Sequence, residues 1–329
     1  MNNISRETIV NGALMGLLLL APLVALAMDE SFYVNLASRV AILSLAGVGL
    51  NLALGYGGLV SFGHAAFFGL GGYVAGIAAH HVFEGSSFMT WPFEIGASDN
   101  MLVIWLITLV LSALLAIFIG AFSLRTSGVY FIMITLAFAQ MIYYFAISIP
   151  TYGGEDGLAI YIRNQIPIFS SDDPLTFFLI CYILLAAALF LSSRLIDSRF
   201  GAAFQMARMN ETRLATVGIA PFPIKLTGFV ISAMITGLAG ALFADLNGFV
   251  GPSMLSWHRS GEIMIFIILG GVGRLYGPVA GAALFILLEY YIGGFTDRWQ
   301  FFLGLILLAV VLFAKGGLIG LLAGKARHD

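Results

Sequence analysis

Long apolar runs recur along the chain between short polar stretches, and this alternation sets its architecture. A membrane span needs about 20 apolar residues, because roughly 30 Å of hydrocarbon is crossed at 1.5 Å per residue. The sequence therefore predicts an all-α polytopic membrane protein of about ten transmembrane helices, some of them broken or re-entrant. The predicted spans cover residues 9–28, 33–54, 59–80, 101–123, 127–149, 174–193, 222–247, 261–276, 277–293 and 299–316.

Composition agrees with a membrane location and excludes several function classes. Of 329 residues, 60% are hydrophobic and only 10% are charged, whereas about a quarter of a soluble protein is charged. A cytosolic enzyme is therefore excluded, and the net charge of −2 gives no basic field for nucleic acid. The single cysteine, Cys181, excludes a CxxC metal site and an internal disulfide. We expect no bound metal.

The cations are distributed unequally between the two sides, which predicts that both termini are cytoplasmic. Eleven Lys and Arg fall inside, and only three fall outside. The inner cations are Arg6, Arg125, Arg194, Arg199, Arg208, Arg213, Lys225, Arg274, Lys315, Lys325 and Arg327, and the outer ones are Arg163, Arg259 and Arg298. The acids assigned outside are Asp29, Glu30, Glu84, Glu94, Asp99, Glu155, Asp156, Asp172 and Asp173.

Residues 1–329 are expected to form a single transmembrane domain. The longest segments outside the membrane are a periplasmic loop at 150–173 and a cytoplasmic loop at 194–221, and both are too short for an independent fold. Residues 9–28 resemble a signal peptide in part, but the sequence before them carries no net charge, so we expect them to stay as a first span.

Two glycine clusters interrupt the apolar pattern. Residues 55–76 contain eight glycines, which suit either close helix packing or a broken helix lining a pathway. Both interpretations use the same glycines and both stay open. Residues 270–281 contain five glycines and Pro278, which predicts a tight inner turn between two helices.

Five polar residues fall within apolar segments, where ionisable groups are costly. We expect Asp245 and Glu289 to reach the outer interface in structural roles, and Arg39 to extend its side chain toward it. The pattern favours a hydrogen-bonded structural role for the histidine over a proton relay. The five are Arg39, His64, Gln140, Asp245 and Glu289.

The inner loop 194–221 reads as a short helix of mixed charge that ends before Pro221. A positive-inside anchor needs only its arginines. The alanine-rich stretch with Phe200, Phe204 and Met206 adds an apolar face, which favours docking of a soluble partner. The nearest approach to a phosphate-binding loop, residues 319–326, fails at Ile319 and Ala326. We expect no ATP hydrolysis by this chain.

Several of these segments resemble the permease family of branched-chain amino acid ABC importers, of the LivM type within the LivH/LivM family. The resemblance covers essentially the whole chain, although Tyr152 replaces a family threonine and Met209 an acid common in relatives. Its segments are LNLALGYGGLVSFGHAAFFGLGGYVA (50–75), YGGEDGL (152–158), ARMNETRLATVGI (207–219), KLTGFVISAMITGLAGALFA (225–244) and LGGVGRLYGPVAGA (269–282).

The resemblance implies a subunit in the bacterial inner membrane that binds no cofactor itself. Its implied partners are a homologous permease of the LivH type, two cytoplasmic ATPases of the LivG/LivF type carrying ATP and Mg²⁺, and a periplasmic amino-acid-binding protein. The alternatives are an ABC permease for urea or short amides and a stand-alone secondary carrier or channel, since broken helices suit both.

Three groups of residues are predicted to carry this function. The pathway group could contact the charged ends and the apolar side chain of a small zwitterion, and the docking group faces the ATPases. The pathway group is Gly57, Gly58, Ser61, Phe62, Gly63, His64, Phe67 and Phe68. The docking group is Arg199, Phe204, Arg208, Glu211 and Arg213, and the outer-loop group is Gly153, Gly154, Asp156 and Gly157.

Overall fold

A computed structural model describes residues 6–28, 30–86, 98–166, 172–296, 298–313 and 316–324. Thirteen α-helices account for most of these residues, which confirms the predicted all-α class. The helices are α1 (Arg6–Ala27), α2 (Ser31–Asn51), α3 (His64–Glu84), α4 (Met101–Ser123), α5 (Val129–Ile147), α6 (Pro174–Ile196), α7 (Arg199–Met209), α8 (Glu211–Thr216), α9 (Pro221–Asn247), α10 (Trp257–Gly270), α11 (Gly277–Gly293), α12 (Trp299–Phe313) and α13 (Gly317–Ala323).

Seven of these described helices are long and apolar enough to cross a membrane, namely α1 to α6 and α9. The last three predicted spans correspond to α10, α11 and α12, which have only 14, 17 and 15 residues. Two predicted boundaries are wrong. The span predicted at 59–80 begins as a helix only at His64, and the one at 261–276 already ends at Gly270.

The placement of the termini stays a prediction. Several of the charges that support it lie outside the described residues, and so do residues 167–171 of the loop predicted to be periplasmic. These charges are Asp29, Glu94, Lys315, Lys325 and Arg327.

The most buried long helices, α2 and α9, form the centre of the bundle. α9 packs against α2, α3 and α4, while α2 also contacts α6 and α11. Glycine allows a very close crossing between α3 and α9. A Cβ atom on Gly71 would lie 1.9 Å from the carbonyl oxygen of Gly237, and one on Gly240 would lie 1.7 Å from that of Phe68. These glycines therefore confirm the packing interpretation for the later part of the first cluster.

The second glycine cluster forms the predicted turn, between α10 and α11. Gly271 and Gly273 adopt positive φ angles of 124° and 76°, which favour glycine. The side chain of Asn51, at the end of α2, binds this turn from both sides. It donates from Nδ2 to the carbonyl of Arg274 at 2.9 Å, and its Oδ1 accepts from the amide of Gly273 at 3.2 Å.

A short antiparallel strand pair fixes the outer loop. β1 (Leu158–Ala159) pairs with β2 (Phe249–Val250), which directly follows α9. At the far end of this loop Asp173 caps α6. Hydrogen bonds from the hydroxyl and amide of Thr176 hold the pKa of Asp173 below its ordinary value.

We predict that Gly71→Ala destabilises the protein by about 1–3 kcal/mol, because the new methyl group forces α3 away from α9. Thermal denaturation of the detergent-purified protein measures the loss. Gly304→Ala on α12 is the matched control, since a Cβ atom at Gly304 would have no neighbouring atom within 4 Å. Equal stability of the two variants would contradict the proposed crossing.

Candidate functional site

The chain is irregular between α2 and α3. α2 continues into one π-helical turn, Leu52–Tyr56, and residues 57–63 then run without helix until α3 begins. Gly58 has a φ angle of +67°, and a Cβ there would lie 2.8 Å from Cγ of Arg208. The first part of the glycine cluster thus breaks the helical path, while its later part packs helices.

The start of α3 lies deep in the bundle and is held by a hydrogen-bond chain. Nε2 of His64 lies 2.7 Å from Oγ of Ser232 on α9, and Ser232 donates its hydroxyl proton to the carbonyl of Gly49 on α2. Because that proton is used, His64 donates from Nε2. Ser232 is 11 residues into α9, about 16 Å from its first residue. This arrangement supports the structural role expected for His64.

A second irregular segment precedes α10 and runs beside α3. Its residue Met254 packs on Gly72, and the next residue, Leu255, packs on Gly69. Helix α10 then begins where α3 begins. The hydroxyl of Ser260 accepts from the amide of Ala65 at 2.7 Å and donates to the carbonyl of Phe62 at 2.7 Å.

The two helices run in opposite directions from this junction. α3 leads away from the Asn51 end of α2, and α10 leads back toward it. Both N-termini therefore lie at one depth, where their partial positive charges favour an anionic group.

Aromatic and polar side chains are exposed at the junction. The ring of Phe62 lies 6.1 Å from that of Trp257, which stacks on His258 at 3.9 Å. The imidazole of His258 is exposed at the surface of this structure. Contact of such a polar group with lipid is costly, so its position suits a water-filled path or a contact with a partner protein. Trp257, His258 and Ser260 were not among the residues predicted from the sequence. Gly251 and Pro252, which precede them, were the available signal.

The structure divides the predicted pathway group. Gly58 and Phe62 are at least partly exposed beside the junction, and Ser61 lies just behind them, with its Oγ accepting from the amide of Gly63. That Phe67 and Phe68 line the pathway stays a prediction. Both are fully buried between α3 and α9, so neither can contact a substrate in this conformation.

The start of the irregular segment that follows α2 contacts α7, in the loop predicted to be cytoplasmic. The ring of Phe204 on α7 fills the space beside two glycines, since a Cβ on Gly57 or Gly228 would lie 2.3 or 2.5 Å from it. Arg208 donates from Nη1 to the carbonyl of Gly55. The predicted pathway and docking segments are therefore in direct contact.

The docking group is mixed in exposure. Its four charged members, Arg199, Arg208, Glu211 and Arg213, are exposed, whereas Phe204 is only 4% exposed. The apolar face expected on this loop is thus turned inward at Phe204. A cavity of about 320 Å³ lies where loop, irregular segment and α9 meet, and it is lined in part by Arg208, Glu211 and Lys225. Lys225 pairs with Glu211 at 2.7 Å.

The outer-loop group forms a compact turn. Gly153, Gly154 and Gly157 have φ angles of 86°, 51° and 81°, so each occupies a conformation that favours glycine. Asp156 is exposed, and its amide donates to the carbonyl of Gly153. These glycines shape the approach to β1. Within the described residues, no cluster of His, Cys, Asp or Glu could hold a metal ion.

Apolar spans, helices that begin inside the bundle and a direct contact between residues 55–58 and α7 are typical of a multi-pass membrane transport protein. Residues 32–311 match the family described as "Branched-chain amino acid transport system / permease component". Because this match covers most of its length, the chain belongs to that family of permease components, and it is a multi-pass protein of the inner membrane.

Two relatives are named "High-affinity branched-chain amino acid transport system permease protein LivM", from Salmonella typhimurium and Escherichia coli. Each is 26% identical over 315 residues, covering 87% of this chain and 69% of the relative. No solved structure matches the chain significantly. The resemblance seen in the sequence motifs is therefore confirmed.

We predict that Ser232→Ala destabilises the protein by about 1–3 kcal/mol, because it leaves the buried Nε2 of His64 unpaired. Ser44→Ala on α2 is the control, since Ser44 is equally buried but its hydroxyl finds no partner among the described residues. Thermal denaturation in detergent compares the two. A larger loss in the Ser44 variant would contradict the hydrogen-bond chain.

Proposed function

We propose that the chain is one of two membrane-spanning subunits of an ATP-binding cassette importer for branched-chain amino acids. In this proposal a periplasmic binding protein delivers the amino acid, and two cytoplasmic ATPases drive its passage. The family and the names of the two relatives support the substrate class. A homologous permease of the LivH type completes the membrane part.

The contact between α7 and residues 57–58 is the observation that carries this proposal. Phe204 is buried against Gly57, and Arg208 holds the carbonyl of Gly55. A displacement of α7 therefore acts directly on the irregular segment that leads to α3. A carrier driven by an ion gradient has no need of such a link to its inner surface.

The exposed charges of α7 and α8 suit an ATPase surface. Arg199 and Arg213 project from the loop, and the structure gives neither a salt-bridge partner among the described residues. LivG/LivF-type ATPases would bind there and carry ATP and Mg²⁺. This chain lacks a phosphate-binding loop of its own, so the energy would come from these partners.

The junction of α3 and α10 is the proposed substrate path. The N-terminal ends of both helices favour a carboxylate. Phe62 and Trp257 offer apolar surface to a branched side chain. Gly58 lies between this junction and α7, at the position where the path would open inward.

We predict that Phe204→Ala lowers ATP-driven leucine uptake at least tenfold while ATP hydrolysis by the assembled transporter continues. Removal of the ring leaves α7 without its contact on Gly57. Uptake and ATPase activity are measured on one preparation in proteoliposomes. Met206→Ala, on the exposed side of the same helix, should keep uptake. Full uptake by the Phe204 variant would refute the coupling role.

We predict that the double variant Arg199→Glu, Arg213→Glu loses co-purification of the ATPases. The corresponding double lysine variant retains the charges and should retain the ATPases. Unchanged recovery with glutamate would overturn the docking surface. Leucine uptake by this chain alone under an ion gradient would instead establish the secondary carrier.

A further inference from the structure

A second cavity lies at the outer end of the bundle, and none of its lining residues belongs to the site described above. Its volume is about 530 Å³, and it is lined by the outer parts of α2, α9 and α11. Small-molecule sites commonly have volumes of about 300–1,000 Å³. Its wall combines apolar and aromatic side chains, Phe32, Leu36, Ile286 and Tyr290, with one cation and one anion.

The two charges form an ion pair inside the cavity. Nη2 of Arg39 lies 3.0 Å from the carboxylate of Glu289, although the two residues are 250 positions apart. The side chains remain 31% and 25% exposed. The sequence predicted that each reaches the outer interface separately, and the structure instead places them together.

From this pairing we infer that the cavity is an entry site for an amino acid zwitterion, where the substrate waits on the outer side. The inference rests on the proposed function, since it concerns the same substrate class. The α-carboxylate binds Arg39, whose guanidinium matches it in bidentate geometry. The α-ammonium binds Glu289, and the branched side chain packs on Leu36 and Ile286.

Binding of this kind leaves no charge unpaired. An uncharged apolar ligand, or one with a single charge, would separate the pair and leave at least one partner uncompensated. A zwitterion supplies both opposite charges at once. The resting pair is partly exposed and therefore weak, so its exchange for ligand contacts is cheap.

Helix α10 carries charged groups between its contact with α3 and the region of the Arg39–Glu289 pair. Glu262 on α10 interacts electrostatically with both Arg39 and Glu289. It pairs at 2.6 Å with Arg259, three residues earlier on the same helix. The next residue, Ser260, joins α10 to α3. In this proposal, an amino acid that leaves the cavity passes Glu262 and Arg259 before it reaches the junction of α3 and α10.

A phosphatidylethanolamine headgroup shares this zwitterionic chemistry and would also fit the pair. The lipid headgroup and the free amino acid can be told apart by the lipid composition of the membrane. A lipid headgroup competes only when the lipid is present, whereas an amino acid binds in phosphatidylglycerol nanodiscs that contain no zwitterionic lipid.

Equilibrium binding of radiolabelled leucine to the full chain, co-purified with its partner permease in such nanodiscs, tests the inference. Unlabelled leucine should compete at least about tenfold better than leucinamide, which lacks the carboxylate, or 4-methylpentanoate, which lacks the ammonium. Arg39→Gln should abolish the preference over leucinamide, and Glu289→Gln the preference over 4-methylpentanoate.

Further variants separate binding from folding. The double variant Arg39→Gln, Glu289→Gln leaves no unpaired charge and should fold but lose both preferences. Leu36→Trp should fill the cavity and abolish leucine binding. Ile183→Trp, on the exposed face of α6, is the control and should leave leucine binding unchanged.

Three results would overturn the entry site. The first is an unchanged order of competitors in the charge variants. The second is leucine binding that needs phosphatidylethanolamine. The third is leucine binding that filling the cavity does not reduce. ATP-driven leucine uptake by the wild-type assembly is measured in parallel. If uptake occurs while the cavity variants bind normally, the site fails and the proposed function stands; absent uptake counts against the function itself.

Discussion

The hydrogen bonding of irregular backbone inside the bundle is the constraint on which the rest of the structure depends. In the hydrocarbon of a membrane no water satisfies a free amide or carbonyl, so helix breaks are tolerated only where protein groups or a water-filled cavity satisfy them. The break before α3 meets this need with few side chains. Ser260 hydrogen-bonds the carbonyl of Phe62 and the amide of Ala65, and Arg208 donates to the carbonyl of Gly55. In the turn before α11, Asn51 donates to the carbonyl of Arg274. Each of these contacts joins segments distant in sequence.

Close glycine packing provides the frame that keeps those contacts in register. α3 crosses α9 with backbone nearly touching backbone at Gly71 and Gly240, so the two helices have little freedom to slide. His64 and Ser232 lie on this same pair of helices. The closely packed crossing of α3 and α9 therefore follows directly after the irregular segment 57–63. The first turn of α3 is the boundary between them.

The sequence predicted the long helices because hydropathy and length suffice for them. It placed the start of α3 five residues early, since Leu59 and Val60 continue the apolar run and the nearby glycines indicate a break without fixing where the next helix begins. It did not reveal that Phe67 and Phe68 are buried between α3 and α9, because the first part of α3 is apolar on every face and periodicity cannot separate core from lining there. The pairing of Arg39 with Glu289 was equally hidden, because 250 residues separate them. The glycine clusters were informative because their effect is local.

The two ends of the segment 57–63 are held differently, and the proposed coupling depends on this difference. At His64 the chain is fixed to α9 and α2 by buried hydrogen bonds. At Gly57 it meets Phe204 of α7, a short helix in a loop that carries exposed charges. In the proposed coupling, a displacement of α7 would therefore move the segment more than α3. Because Ser260 donates to the carbonyl of Phe62 in this segment, the displacement would also reach the first turn of α10, across the proposed path from α3.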